Sequence, residues 1–309
     1  MQESRILMIG PSKSGKTCLL GAAELSAAQC MFGGPRCRVV PKNDNMVNLV
    51  RNFRSMIKTG KLTEAINADT KTVQYEFEFD AETTADETLG RGSAPPSKTF
   101  IFLDGPGGAL IPSKSADLED EAIQHFRQEL MQHGRQSQSL LLCVDSHDEH
   151  VAMLFLEFIP ELLAEFTEHQ LPFDRVAIVL TKCDAHFMNM RRYAEGEAQD
   201  DPWRRAFDMV TPAGLGVLLS RLKKHTQIGC GWASAYGFIA NEGTANFNPH
   251  TGGLRTYHPD YSDVDRIRSW RPFRVLDPFI FLATGHAAGL HVFNVEQLLS
   301  RLATYHNSV

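Results

Sequence analysis

The sequence predicts an α/β fold: a mostly parallel β-sheet with helices on both faces. Three observations carry that reading. Short apolar runs at 6–9, 99–103, 140–144, 176–180 and 228–233, bounded by turn residues, read as strands buried on both faces. Stretches with apolar residues at helical spacing separate them, the alternation that builds a parallel sheet. A glycine-bearing loop at 10–17 joins the first apolar run to the first helical stretch, and Asp104, Asp145 and the Thr181 run close three later strands.

The first strand is Ile6-Leu7-Met8-Ile9, and the loop after it is Gly10-Pro11-Ser12-Lys13-Ser14-Gly15-Lys16-Thr17. Its spacing, G-x-x-x-x-G-K-[ST], is that of a phosphate-binding loop. The context fits the pattern, because the Leu- and Ala-rich stretch 18–28 reads as a helix. The glycines let backbone N–H groups curl around a β-phosphate, and the helix start adds its positive end. Lys16 is expected to reach the β and γ oxygens, and the Thr17 hydroxyl to be a ligand of Mg²⁺. The expected phosphate cradle is therefore Gly10, Ser12, Lys13, Ser14, Gly15, Lys16, Thr17 and Cys18.

Length and composition bound the function. The 309 residues fit one large domain or two small ones, and we read a single domain over 1–309. Hydrophobic residues make up 43%, enough for a core, and charged residues 22%. The net charge of −6 argues against general nucleic-acid binding, which needs a basic face. Six cysteines include no C-x-x-C pair, so reduced thiols and a cytoplasmic location are expected. No signal peptide is expected, because the first residues enter a strand directly, and there is no internal repeat and no run of about 18 apolar residues of the kind that spans a membrane.

Along the chain, Gly33-Gly34-Pro35 separates the first helix from a second helical stretch. In that stretch Met46, Leu49, Val50, Phe53 and Ile57 recur at helical spacing, and Gly60 ends it. Residues 73–79 alternate apolar and polar, the mark of a strand with one wet face. The polar 81–97 stretch carries Gly90, Gly92, Pro95 and Pro96 and reads as a hairpin tip. Leu118, Ala122, Ile123, Phe126 and Leu130 mark a helix opened by acids. Residues 151–166 are apolar and helical, with Pro160 as either a kink or a new start. Two short helices are expected near 202–209 and 212–224, each after an N-cap and a proline. Residues 240–265 are rich in Gly, Asn, His and Tyr and read as a surface insertion, part of a larger insertion at about 240–285. Residues 277–293 are apolar and either cover the core or form a partner surface. Asn294 and Gln297 form a capping box, with Val295, Leu298, Leu299 and Leu302 as the buried stripe of the last helix.

Two further motifs sit at strand ends. Asp104 opens Asp104-Gly105-Pro106-Gly107-Gly108, and downstream of a phosphate loop an acid there holds Mg²⁺, usually through water. Thr181-Lys182-Cys183-Asp184 follows the 176–180 strand. A carboxylate at Asp184 can accept two hydrogen bonds from a guanine edge, its N1–H and its amine, which adenine does not offer. The Lys182 stem can lie over the flat base, and Ser234-Ala235 can offer a backbone N–H to the guanine oxygen. His147-Asp148-Glu149-His150 has metal-ligand residue types but reads as an ordinary helix start.

Together these motifs resemble the Ras-like GTPases of the translation-factor-related P-loop class. Gly10 to Thr17 is similar to their first motif, Asp104-Gly105-Pro106-Gly107 to their D-x-x-G, Thr181-Lys182-Cys183-Asp184 to their N/T-K-x-D, and Ser234-Ala235 to their short S-A motif. The order and spacing fit over about 5–239, with a last helix at 294–305. The resemblance implies a Ras-like G domain with insertions, GTP and GDP as ligands, Mg²⁺ held by Thr17, Asp104 and a switch threonine, and a protein effector or activator as partner, with homo- or hetero-oligomers open. The switch threonine lies before the strand that pairs with the D-x-x-G strand. Thr70 is the choice, with Thr72 and Thr63 as alternatives, and 31–72 is then an extended switch I region. That long segment also resembles the bacterial double-GTPase families associated with conflict systems.

Two departures bear on activity. Ras-like enzymes often carry a glutamine right after the D-x-x-G glycine to orient the attacking water. Here that position is Gly108, so hydrolysis must be slow, be completed by another residue or need a partner. Where cation-dependent relatives have an asparagine, this loop has Lys13, either a built-in cation for the transition state or a solvated lysine beside an anion. The expected catalytic set is Lys16, Lys13, Thr70 and the Gly107 N–H. The expected function is a GTP-binding switch with slow hydrolysis. A nucleotide-binding interaction subunit without turnover, and a P-loop ATPase or kinase, are the alternatives.

Overall fold

The computed structural model describes residues 5–11, 13–29, 37–61, 72–81, 98–104, 120–146, 159, 171–187, 194–200, 214–240, 242–248, 250, 253–256, 260 and 262–306. Their centre is an eight-stranded sheet. Strands β1 (Arg5–Ile9), β4 (Lys98–Asp104), β5 (Ser137–Asp145), β6 (Arg175–Thr181) and β7 (Gln227–Trp232) form its parallel middle. On one side β4 pairs antiparallel with β3 (Val73–Ala81), and β3 with β2 (Cys37–Pro41). On the other side β12 (His291–Asn294) runs antiparallel to β7. The order is β12-β7-β6-β5-β1-β4-β3-β2, so β1 has its later parallel neighbours on either side. That is the switch point where an open α/β sheet leaves a crevice beyond its strand ends.

Burial on both faces explains the apolar runs. In β1, Leu7 and Ile9 face one core, while Ile6 and Met8 face the other. Helices α1 (Lys16–Gln29) and α2 (Asp44–Thr59) cover the second face. Asn43 caps α2 by accepting the Met46 N–H at 2.9 Å, and Gly60 closes it in the left-handed region at φ 68°. Helix α3 (Glu121–Gln136), capped by Asp120, packs Ile123, Phe126 and Leu130 into the first core. Two short helices, α4 (Ala194–Asp200) and α5 (Gly214–Arg221), contribute to that core as well. The alternation in β3 holds, with Tyr75, Phe77 and Phe79 buried and Gln74, Glu76 and Glu78 partly exposed.

Several elements differ from the expectation. The described residues of the 240–265 stretch carry short elements of their own. Strand β8 (Ser234–Ile239) leaves the main sheet and pairs with β11 (Trp270–Phe273), enclosing a small hairpin of β9 (Phe247–Asn248) and β10 (Gly253–Leu254) and a helix α6 (Asp263–Ser269). Its polar residues Asn246 and Thr256 are buried, and they bond to each other, the Thr256 N–H donating to Asn246 Oδ1 at 2.9 Å. The apolar 277–293 stretch covers the core. Helix α7 (Asp277–Thr284) buries Phe279 edge-on to Phe77 and Phe100, with centroids 5.6 and 5.3 Å away. The last helix, α8 (Val295–His306), has the expected capping box, Gln297 N–H to Asn294 Oδ1 at 2.8 Å and Asn294 N–H to Gln297 Oε1 at 3.0 Å. Leu299, however, is 39% exposed, because the buried stripe turns through Val295 and Leu298. The expected helices at 151–166 and 202–209, the 82–97 tip and the 147–150 cluster lie outside the described residues, apart from buried Ile159. Among the described residues no helix is long and apolar enough to cross a membrane.

Candidate functional site

The crevice begins where β1 ends. Gly10 comes so close to β5 that an added Cβ would stand 2.3 Å from the Cys143 carbonyl oxygen, so no larger residue fits. The loop turns through left-handed backbone at Lys13, φ 62°, and Gly15, φ 78°. Glycine adopts this freely, whereas for lysine it is unusual. The Ser14 N–H donates to the Pro11 carbonyl at 3.2 Å and closes the turn. Lys16 opens α1 and folds back under the loop. Its ammonium donates to the carbonyls of Gly10 at 2.7 Å and Pro11 at 2.5 Å, and stands 5.8 Å from the centre of the Phe102 ring. Burial pushes its pKa down and the Asp104 charge opposes that. The ammonium is thus held against the first two carbonyls of the loop.

Thr17 and Asp104 meet at the next strand tip, Oγ1 to Oδ2 at 3.5 Å, across 87 residues of sequence. A hydroxyl and a carboxylate suit Mg²⁺, which takes hard oxygens, keeps several waters and completes its octahedron on substrate phosphates. Among the described residues no group of three or more His, Cys, Asp or Glu is placed to hold a metal alone. The donor set therefore fits an ion shared with a phosphate ligand and does not suit a resident protein-only metal centre.

The other half of the crevice lies beyond β6 and β7. The Thr181 hydroxyl is within reach of the Ser14 and Val144 carbonyls, so β6 and β5 are tied to the loop at this point. Lys182 is left-handed at φ 60°, and its ammonium pairs with Asp145 at 2.5 Å, which fixes the direction of its stem. Asp184, only 3% exposed, accepts the Ser234 hydroxyl at 2.5 Å. Ser234 in turn accepts the Gly237 N–H at 2.8 Å, so the carboxylate is set by a relay from β8. Gly15, Cys18, Thr181, Lys182, Asp184 and Tyr236 are among the residues that line a small, partly open cleft. The Cys18 thiol lies 3.6 Å from the Tyr236 hydroxyl, and burial pushes both groups' pKa values up, so each stays neutral. Cys143, beneath the loop, is a core thiol whose pKa burial raises to about 12.

The structure thus brings Gly10, Lys13, Ser14, Gly15, Lys16, Thr17, Cys18, Asp104, Thr181, Lys182, Asp184, Ser234 and Ala235 to one rim of the sheet. Ser12, Thr70, Thr63, Gly107 and Gly108 lie outside the described residues. Thr72 is described. It precedes Val73, which pairs with Asp104, and its hydroxyl is buried without a hydrogen-bond partner. Two residues of the rim were given no role from the sequence. Asp145 carried the same signal as Asp104, an acid closing a buried strand. Tyr236 carried none, because nothing local distinguishes it from a core tyrosine.

No family model and no curated protein matches the sequence. Solved structures are similar at low identity. A GTP-binding protein from Sulfolobus solfataricus in complex with GDP is 14% identical with a TM-score of 0.34, over 75% of this chain and 47% of that one. A signal recognition particle receptor GTP complex from Chaetomium thermophilum is 12% identical with a TM-score of 0.37, over 77% and 93%. An ADP-ribosylation-factor-like small COPII coat GTPase from Encephalitozoon cuniculi with GDP is 11% identical with a TM-score of 0.32, over 76% and 70%. The matched region spans about half the length of the archaeal protein.

Proposed function

We propose that the chain binds GTP and GDP with Mg²⁺, hydrolyses GTP slowly and serves as a conformational switch read by a protein effector or activator. One observation carries the reading. The Lys16 loop, the Thr17–Asp104 pair and the Asp184–Ser234 pair, far apart in sequence, share one rim of the sheet, with the loop after β1 between the Asp104 tip of β4 and the Asp184 segment after β6. In this reading the loop N–H groups and the positive end of α1 hold the β-phosphate. Lys16 exchanges its carbonyl partners for phosphate oxygens. Thr17 and Asp104 would hold Mg²⁺, which neutralises phosphate charge when bound. Asp184 accepts two hydrogen bonds from guanine, the Ser234 hydroxyl keeps the carboxylate oriented, and the Ala235 N–H meets the guanine oxygen.

The γ-phosphate is assigned to Thr70 and the Gly107 N–H from sequence, with Thr72 as the alternative hydroxyl. Lys13, exposed at the turn of the loop, supplies a cation to the charge that develops during transfer; the plainer role is a solvated lysine beside an anion. Single-turnover phosphate release separates these readings. Release is expected from GTP and not from ATP, and Lys13→Ala is expected to slow it at unchanged GTP affinity. An unchanged rate removes Lys13 from the chemistry. Tight GTP binding with no release favours the second reading, an interaction subunit without turnover, which Gly108 supports because it has no side chain to orient water. Release from ATP instead identifies a P-loop ATPase and overturns the proposal.

A further inference from the structure

The stretch from β8 to β11 reaches the cleft on one side and the end of α2 on the other. Ala235 and Tyr236 line the cleft, and none of the described residues in 240–273 does. Phe247 of β9 lies against the Tyr236 ring, centroids 6.2 Å apart and planes 20° from parallel. Its partner in the hairpin is Leu254 of β10. The Leu254 N–H donates to the Gly60 carbonyl at 3.2 Å, and Gly253 bridges to Lys61. Gly60 is the left-handed residue that closes α2. One rung of a hairpin therefore separates a residue of the cleft from the cap of a helix. A second route runs beside it. The Trp270 indole N–H donates to the Ala235 carbonyl at 3.0 Å, and the Trp270 ring meets Phe53 of α2 edge-on, centroids 5.7 Å apart.

β9 and β10 are two residues each, and so short a pair has little stability of its own. Its order comes from what it is fastened to. On the β8 side, fully buried Asn246 donates its side-chain amide to the Tyr236 carbonyl at 3.1 Å and accepts the Arg255 N–H at 2.7 Å. On the α2 side, Leu254 is buried in the second core. A ligand that steadies Tyr236 steadies the hairpin, and the hairpin holds the Gly60 carbonyl. We infer that the β9–β10 hairpin is a strap that couples occupancy of the cleft to the order of the last turn of α2. The inference takes its ligand, GDP with Mg²⁺, from the function proposed above, whereas the contacts of the strap stand without it. Such coupling passes through packed side chains and local order and needs no large displacement. It is reciprocal: the ligand protects the end of α2, and a loosened strap weakens the ligand.

Hydrogen exchange of single amides on the full chain, followed by NMR, tests this in two arms. Without ligand, Phe247→Ala is expected to speed exchange at the Leu254 and Gly60 amides about 10-fold and leave α3 at its wild-type rate, which also shows that the variant is folded. Phe247→Tyr keeps the ring and the wild-type rates, and Phe247→Leu falls between. With saturating GDP and Mg²⁺, both amides are expected to slow about 10-fold in the wild type and less than about twofold in Phe247→Ala, which binds GDP about 5- to 10-fold more weakly. Unchanged exchange in ligand-free Phe247→Ala overturns the strap. GDP that binds the wild type and leaves both amides at their ligand-free rates overturns the coupling and spares the guanine reading. A wild-type protein that binds no GDP overturns the guanine reading and the coupling with it, and the ligand-free arm then still reports on the contacts of the hairpin.

Discussion

The two ends of the crevice are built in opposite ways. The end proposed for phosphate is local: consecutive residues 10–17 make the turn, the helix start and the cation, and Asp104 and Thr181 reach them from other strands. The base end is assembled: Asp184 is set by Ser234, Lys182 by Asp145, and Tyr236 by Phe247, Cys18 and Asn246. A local device concentrates its free energy in a few backbone dipoles and one charge. An assembled device spreads it over side chains from several elements. Substitutions should therefore act almost all-or-none at the first end and by degrees at the second.

The largest effect is expected from Lys16→Ala. Hydrogen bonds to charged groups contribute about 1.5–3 kcal/mol each, and Lys16 has at least two to give, so GDP affinity should fall by about 3–6 kcal/mol. Titration calorimetry measures this, and a thermal melt within a few degrees of wild type excludes unfolding as the cause. Asp184→Asn comes next, with a loss of several kcal/mol for GDP and none for pyrophosphate. Equal losses for the two ligands would mean that the ends are not separable. Thr17→Ala is expected to remove the gain in GDP affinity that Mg²⁺ gives over a chelator, leaving affinity in chelator unchanged. Ser234→Ala is expected to be the mildest, about 1–2 kcal/mol on GDP alone, because it loosens the Asp184 carboxylate without removing it. A Ser234 effect as large as that of Asp184 would show that orientation, and not charge, governs the base end.

The same contrast decides what was legible in the sequence. At Gly10 to Thr17 the residue types are the geometry, so pattern and structure coincide. The buried middle strands were equally plain, since both faces need apolar residues. The edges were not. β2 contains Pro41, tolerated there because an edge strand can spare a ladder donor, and residues 37–41 alternate too briefly to declare themselves. β12 is four residues long and β11 carries Pro272, so neither has the length or the pattern of a core strand. Asn246 and Thr256 read as polar surface residues, yet both are buried: Asn246 accepts the Thr256 N–H and donates to the Tyr236 carbonyl, and composition is blind to those backbone partners. Tyr236 shows the limit most clearly. Its ring is placed by Phe247 on a hairpin and by Cys18 218 residues away, contacts that exist only after folding.

The central claim is that Asp184 makes the purine guanine. It is tested most directly by denaturing the protein as purified from cells and resolving the released nucleotide by chromatography. GDP or GTP, close to one per chain and absent from Asp184→Asn prepared alongside, is the predicted result; an adenine nucleotide released from the wild-type protein would contradict it.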